Sequence, residues 1–378
     1  MQDLLSVFGN VAYLDWKQVV MWCIGALLIY LAIKKDMEPS LLLPMGFGAI
    51  LVNLPLSGAI TQIYPTGTEE GVIDLLFNSG IANELFPLLL FIGIGAMIDF
   101  EPLLCNPKLM LFGAAAQFGI FFTLSLACLF GFDVKDAASI AIIGAADGPT
   151  SIFVANFFHS NYLGAIIVAA YSYMALVPIV QPPVIRLITT KKERRIRMEY
   201  TGSKVTKTTK ILFPVVVTII TGIVAPRSVA LVGFLMFGNL LRECGVLNAL
   251  SETAQNVLAN LITIVLGLTV AGQMTADKFV RPDTLLILAL GLVAFIFDTA
   301  GGVFFAKLLN LFLPEGKKIN PMIGAAGISA FPMSGRVVNQ MGLAEDNQNF
   351  LLMYSISVNV SGQIASVIAG GLILTLMS

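Results

Sequence analysis

Charge is what this sequence has least of. Only 12% of its 378 residues are Asp, Glu, Lys or Arg, about half the share of a typical soluble domain. Leu109 to Phe132, Gly148 to Ile185 and everything after Asp346 carry no such residue. No soluble domain of useful size is left, because the longest polar stretch runs only from Arg186 to about Lys210. The four cysteines (Cys23, Cys105, Cys128, Cys244) form no CxxC pair, a spacing that offers neither a disulfide framework nor a metal site. The single histidine, His159, cannot build a metal cluster. The opening MQDLLSVFGN has no basic n-region, so no cleaved signal peptide is expected. The net charge of −1 says nothing about partners, and no nucleic-acid partner is expected.

What is present is apolar. The chain is 57% hydrophobic, with a mean hydropathy of +0.87, and its apolar runs repeatedly reach the ~20 residues that one bilayer crossing needs. The expected fold class is all-α, a single integral membrane domain over 1–378 in the cell inner (cytoplasmic) membrane. Trp16 and Trp22 flank the first span, as interfacial aromatics do. Cytoplasmic loops are enriched in Lys and Arg. The stretch 186–210 has nine basic residues against two acidic, so it is placed inside. Lys34-Lys35 also reads as inside, and 66–74 (TGTEEGVID) as outside.

Spans are expected near 17–33, 41–56, 85–99, 108–131, 161–185, 211–226, 228–241, 260–276, 284–306 and 350–377, about ten in all. Residues 132–136 then come out externally, and the span ending at Arg186 must also start externally. The stretch 137–158 therefore cannot cross once. It has to dip in and return, with Asp147-Gly148-Pro149 near the tip. By the same reasoning 319–338, broken by Gly and Pro, is a second re-entrant hairpin entered from the cytoplasm.

An internal repeat accompanies this pattern. IGAA occurs at 143–146 and 323–326, MGFGAILVN (45–53) resembles LMFGNLLRE (235–243), and GIGAMIDF (93–100) resembles TVAGQMTAD (269–277). NPKLMLFG (106–113) parallels RPDTLLIL (281–288) in the same order. Loop charges give the halves, 34–185 and 211–378, opposite orientation on either side of the basic loop 186–210. Inverted repeats with interrupted helices mark transporters, with the site where the broken elements meet. The plainer reading is that small residues merely permit tight helix packing.

Asp147 is the only Asp, Glu, Lys or Arg between Asp136 and Arg186. A carboxylate at the bilayer centre costs roughly 2.5–3.5 kcal/mol on insertion scales, so it needs a partner, a cation or a proton. Pro149 breaks the helix and frees carbonyl oxygens. Carbonyl, hydroxyl and carboxylate oxygens suit a hard cation. A single carboxylate favours a monovalent one, Na⁺, with a proton as natural competitor. The second hairpin adds Asn320, the carbonyls of Gly324 to Gly327, and Ser329. Arg336 suits a carboxylate held bidentately; the alternative is an interfacial Arg reaching headgroups. Asn359 in the final span either serves the site or makes an interhelical hydrogen bond. Tyr173 either lines the cavity or packs. Asp298 is a second buried acid with an open role, and Asp99 and Glu101 are expected to be solvated at a span end.

At GAADGPTSIF, INPMIGAAGISAFPMSGRVVN and NQNFLLMYSISVNVSGQIAS the chain resembles the β subunits of the sodium-pumping biotin-dependent decarboxylases, those of oxaloacetate, methylmalonyl-CoA and glutaconyl-CoA. The resemblance covers essentially the whole chain. It implies a membrane subunit that decarboxylates carboxybiotin and exports Na⁺ while consuming a proton. It implies a carboxyltransferase α subunit, a biotin carrier subunit, a small membrane-anchored γ/δ subunit and a homotrimer of β as partners. It implies that Asp147, Asn320, Gly324 and Ser329 help bind Na⁺ and that Arg336 and Asn359 handle carboxybiotin or its proton. Tyr173 falls on the family's tyrosine. The chain's length leans toward the acyl-CoA members, since oxaloacetate-type chains tend to be longer. Two other readings stay open: a Na⁺-coupled carboxylate symporter without biotin chemistry, and a structural anchor for a soluble enzyme.

Overall fold

The structure, a computed structural model, describes residues 9–35, 37–65, 67–198 and 205–377. The N-terminal segment and residues 199–204 of the basic loop lie outside the described residues. Helices dominate: α1 (Trp16–Lys35), α2 (Pro39–Val52), α3 (Leu85–Met97), α4 (Pro107–Leu129), α5 (Val134–Ala141), α6 (Gly148–Phe157) and α7 (Leu163–Ile188). They continue as α8 (Lys207–Val224), α9 (Val229–Glu243), α10 (Asn248–Ala271), α11 (Pro282–Phe312), α12 (Met333–Glu345) and α13 (Leu352–Leu376). A short antiparallel hairpin, β1 (Gln62–Tyr64) and β2 (Gly67–Glu69), holds the segment placed outside by its charges. The chain is an all-α, multi-pass membrane protein.

Among the described residues seven helices are long and apolar enough to cross a membrane: α1, α4, α7, α8, α10, α11 and α13. The other three expected spans are helical but short. α2, α3 and α9 have 14, 13 and 15 residues, about 20 Å of rise each at 1.5 Å per residue. α3 forms a broken pair with Val72–Ile81, bent by 64°. The span expected at 260–276 starts earlier, at Asn248, because NALSETAQN is helical too.

Each short helix packs on an element from the other half of the chain. α2 lies on α10, where Asn53 Nδ2 donates to Met274 O (2.8 Å) and its Oδ1 accepts from Ala276 N (2.7 Å). α3 lies on α9, where Asn239 Nδ2 donates to Ile98 O (2.9 Å). The last span, α13, is the most buried of the long helices, 78% of its most apolar window against 11% for α8. α13 is therefore central and α8 peripheral, most of its side chains exposed on the outside of the bundle.

The ion pairs gather at one end of the bundle. All seven ion pairs among the described residues join segments that the loop charges place inside, including Glu101 with Lys210, Asp99 with Arg242 (3.6 Å) and Glu193 with Lys307 (3.1 Å). Asp99 and Glu101, expected to be solvated, keep 43% and 37% of their side chains exposed and are ion-paired as well.

Candidate functional site

Two interrupted segments meet inside the bundle. In the first, α5 runs on as a 3₁₀ turn (Ile142–Ala145), the chain reverses through Ala146 in a left-handed conformation (φ 50°), Asp147 is extended, and α6 begins. In the second, a 3₁₀ helix (Pro321–Gly327) passes through extended Ile328 into α12. Their tips touch: Ser329 N donates to Ala145 O (2.9 Å).

Asp147 is the N-cap of α6, which explains the order Asp-Gly-Pro-Thr. The side chain of an N-cap Asp accepts from the backbone three residues on, and Pro suits the first helical turn because it has no N–H to satisfy. Asp147 Oδ1 accepts from Thr150 N (3.3 Å), and Oδ2 accepts from Thr150 Oγ1 (2.7 Å), Ser366 Oγ (2.9 Å) and Gln363 Nε2 (3.3 Å). The residue is 2% exposed and no Lys or Arg pairs with it among the described residues. Its charge is met by hydroxyl and amide dipoles and by the positive end of a helix. Ser329 Oγ donates to Gly362 O (3.1 Å) and also lies in hydrogen-bond contact with Ser366 Oγ, so both hairpins and α13 share one polar cluster.

Irregular backbone inside a membrane needs partners for its polar groups. Three amide side chains from three helices supply them. Gln181 on α7 donates to Ala325 O (2.6 Å), Asn359 on α13 to Ile328 O (2.7 Å) and Gln117 on α4 to Gly327 O (3.4 Å). Asn359 Oδ1 and Gln117 Oε1 are left buried without a hydrogen bond, two carbonyl oxygens beside the second hairpin's turn.

The expected site residues separate into groups. Asp147, Ser329 and Asn359 come together around the hairpin tips. Asn320 does not join them. Its Nδ2 donates to Arg194 O (2.9 Å) and Ile196 O (2.8 Å) and its Oδ1 accepts from Met322 N (3.1 Å). It caps the 3₁₀ helix and ties down the charged segment after α7. Gly324 packs against α11, where a Cβ on it would lie 2.0 Å from Gly302 O, so only glycine permits that approach. Arg336 is exposed on α12, with Glu38 as its acidic neighbour. Burial holds Glu38 above the usual carboxylate range despite the nearby guanidinium, which pulls the other way. Tyr173 turns away from Asp147: its hydroxyl donates to Leu288 O and its ring stacks on Phe295 at 6.4 Å.

Tyr171 takes the place beside Asp147 that Tyr173 does not. Its ring covers Gly148, where a Cβ would lie 2.4 Å from Cε1 and Cζ, and its buried hydroxyl has no hydrogen-bond partner. Residues i and i+2 on a helix point about 200° apart, so the two tyrosines of AAYSYMA face opposite ways. Gln363 and Ser366 carry no local sequence signal for this role, although Asn359, Gln363 and Ser366 at i, i+4 and i+7 share one helix face. Asp298 gains a definite place. α4 breaks at Gln117, and Asp298 Oδ1 accepts from Ile120 N (3.1 Å) and from the Gly119 N–H at the start of the second half-helix. Its Oδ2 has no partner and faces the first hairpin, 2.7 Å from where a Cβ on Gly144 would be. Both deeply buried acids therefore cap interrupted helices. Among the described residues no group of three or more His, Cys, Asp or Glu could hold a metal ion; the oxygens gathered here belong mostly to neutral groups.

Residues 17–377 match the model of a family described as the Na⁺-transporting oxaloacetate decarboxylase beta subunit. The chain belongs to this family. Among its relatives, the glutaconyl-CoA decarboxylase subunit beta of Acidaminococcus fermentans is 48% identical over 369 residues, covering 98% of this chain and 95% of the relative. The methylmalonyl-CoA decarboxylase subunit beta of Veillonella parvula is 48% identical over 377 residues, covering 100% and 97%. The oxaloacetate decarboxylase beta chain of Klebsiella pneumoniae is 44% identical over 411 residues, covering 94% of each. The similarity thus runs through both hairpins and every span, and the chain is a β subunit of the decarboxylase kind.

Proposed function

We propose that this chain is the membrane subunit of a biotin-dependent decarboxylase, one that decarboxylates carboxybiotin and couples the reaction to Na⁺ export with consumption of a proton. The observation that carries the cation half is Asp147: a buried carboxylate where two broken helices meet, ringed by hydroxyls and amides and, among the described residues, without a basic partner. Thr150, Ser329 and Ser366 hydroxyls can each turn an oxygen toward a cation, since a hydroxyl offers lone pairs as well as its hydrogen. The helix N-terminus already offsets part of the carboxylate charge. That keeps the affinity for Na⁺ moderate, as a site that must release its cargo requires. Asn359, with a free carbonyl oxygen, adds a further donor at the hairpin turn. Asn320 and Gly324 act as supports for the second hairpin, holding the segment after α7 and allowing close contact with α11.

Carboxybiotin supplies a carboxyl group that leaves as CO₂ when the ring nitrogen takes up a proton. Arg336, exposed at the end where the basic segments gather, suits the docking of that carboxylate by a two-pronged hydrogen bond. The partners are the remaining subunits of the complex: a carboxyltransferase α subunit, a biotin carrier and a small membrane-anchored subunit, with β as a homotrimer. The interlocked pairing of α2 with α10 and α3 with α9 supports the inverted-repeat reading, because the sequence matches α2 to α9 and α3 to α10. Na⁺ enters from the cytoplasm, binds at Asp147, and is released outward as one unit shifts against the other.

The test is the Na⁺ dependence of carboxybiotin decay in the purified complex. Asp147→Asn keeps an N-cap acceptor and so preserves folding and subunit assembly, while Na⁺-stimulated decay and Na⁺ movement are lost. Retained Na⁺ stimulation in that variant overturns the site, and turnover with no Na⁺ movement in the unaltered complex leaves a membrane anchor. Na⁺ movement that avidin does not stop favours the carboxylate symporter.

A further inference from the structure

The charged end of the bundle contains a cavity of about 840 Å³ between residues 192–197, the last turns of α11 and residues 315–318. Its lining includes Lys192, Arg195, Arg197, Lys307 and Lys318, against two acids, Glu193 and Glu315. Part of this charge is spent locally. Arg197 pairs with Asp346 (2.6 Å) outside the cavity lining, and Lys307 with Glu193 (3.1 Å). Lys192 has no ion pair among the described residues, Arg195 donates only to the Glu345 carbonyl (3.2 Å), and Lys318 reaches Glu315 only at 3.7 Å. These three cations are available to an anion.

The other wall is apolar. Phe304, Leu308 and Leu311 line the same cavity and are 55%, 52% and 78% exposed. They lie on α11, a membrane span of 31 residues. At 1.5 Å per residue it rises about 46 Å, beyond the ~30 Å hydrocarbon core and into the headgroup layer. By that length, the cation-rich hollow and the exposed apolar wall meet near the depth where a phospholipid changes from acyl chain to phosphate.

We infer that this cavity binds an anionic phospholipid, its phosphate held by Lys192, Arg195 and Lys318 and an acyl chain laid along Phe304, Leu308 and Leu311. Basic pockets on the cytoplasmic side of membrane helices recognise such headgroups. An acidic soluble partner meets the charge equally well but leaves the apolar wall without an occupant, so the lipid accounts for both halves. The segment 192–197 is also anchored to the second hairpin through Asn320, which accepts no charge itself but donates to Arg194 O and Ile196 O. A bound lipid thereby steadies the start of the second hairpin.

The full-length protein in detergent, titrated with phosphatidylglycerol, phosphatidylcholine, inorganic phosphate or a poly-glutamate peptide and read by native mass spectrometry, tests this. Phosphatidylglycerol is retained at least ~10-fold more strongly than phosphatidylcholine, and Lys192→Glu with Lys318→Glu removes that preference. Phosphate alone is not retained. Should the charge-reversed protein fail to fold, Lys192→Gln and a salt series on the unaltered protein give the same reading. Preference for the anionic lipid then falls by several-fold as ionic strength rises from about 0.1 to 1 M, because surface attraction is screened. Equal retention of the two lipids, a preference untouched by both variants and by salt, or poly-glutamate displacing phosphatidylglycerol would overturn the inference, the last in favour of a soluble acidic partner.

Discussion

Asp147 shows how a lone carboxylate survives among apolar residues. Four hydrogen bonds and a helix N-terminus replace the water it gave up. Its neighbour Tyr171 is the opposite case, a buried hydroxyl with no partner. The two tyrosines of α7 therefore respond differently to loss of the hydroxyl. Tyr171→Phe leaves thermal stability unchanged or slightly raised, since no hydrogen bond is broken. Tyr173→Phe removes the bond to the Leu288 carbonyl, which keeps its place in the α11 ladder, and costs about 0.5–1.5 kcal/mol. Melting of the two purified variants checks the stability half. The Na⁺ dependence of turnover checks the rest: a change in Tyr171→Phe without a stability change assigns Tyr171 to the site, and a change confined to Tyr173→Phe returns the role to Tyr173.

At the scale of elements, the interrupted helices hold together because side chains from elsewhere finish their backbone hydrogen bonds. Gln181, Asn359 and Gln117 do this for the second hairpin, and Asp298 does it for the second half of α4. Asp298→Asn preserves an acceptor for Ile120 N and keeps most of the stability. Asp298→Ala removes the carboxylate, leaving Ile120 N only its bond to Gln117 O (3.2 Å), and destabilises by about 1–2 kcal/mol, comparable with the loss of an N-cap. Comparable melting of the Ala and Asn variants would contradict the capping role. The sequence showed where these elements break, because Gly, Pro and a lone Asp are local signals. It did not show that Asn320 spends its amide on the Arg194 and Ile196 carbonyls, since that bond joins positions 124 and 126 residues apart.

For the whole molecule, the chain's ends and loops sort by charge. β1–β2 and the ion-paired segment 191–198 stand at opposite sides in the topology derived from Lys and Arg. A cysteine placed at Glu69 of a protein lacking its native cysteines reacts with a membrane-impermeant reagent added to intact cells. One placed at Lys192 reacts only after the membrane is opened. Labelling of Lys192→Cys in sealed cells would invert the topology and with it the direction of Na⁺ movement. The relatives at 44–48% identity are named for three different substrates, so the similarity singles out the family and not one acid.

Composition, loop charge and helix-breaking residues by themselves determined the membrane class, the places where the two hairpins break and the presence of a lone buried carboxylate, Asp147, at one of them. Lipid tolerates neither charge nor broken backbone without cause, so each such exception stands out in one dimension. Only the tertiary structure decided that Tyr171 rather than Tyr173 faces Asp147, that Gln363 and Ser366 complete its ring, and that Asp298 caps α4. Those outcomes turn on which face each helix presents to a neighbour far along the chain, and rotation about a helix axis is set by packing across the whole bundle rather than by any local run of residues.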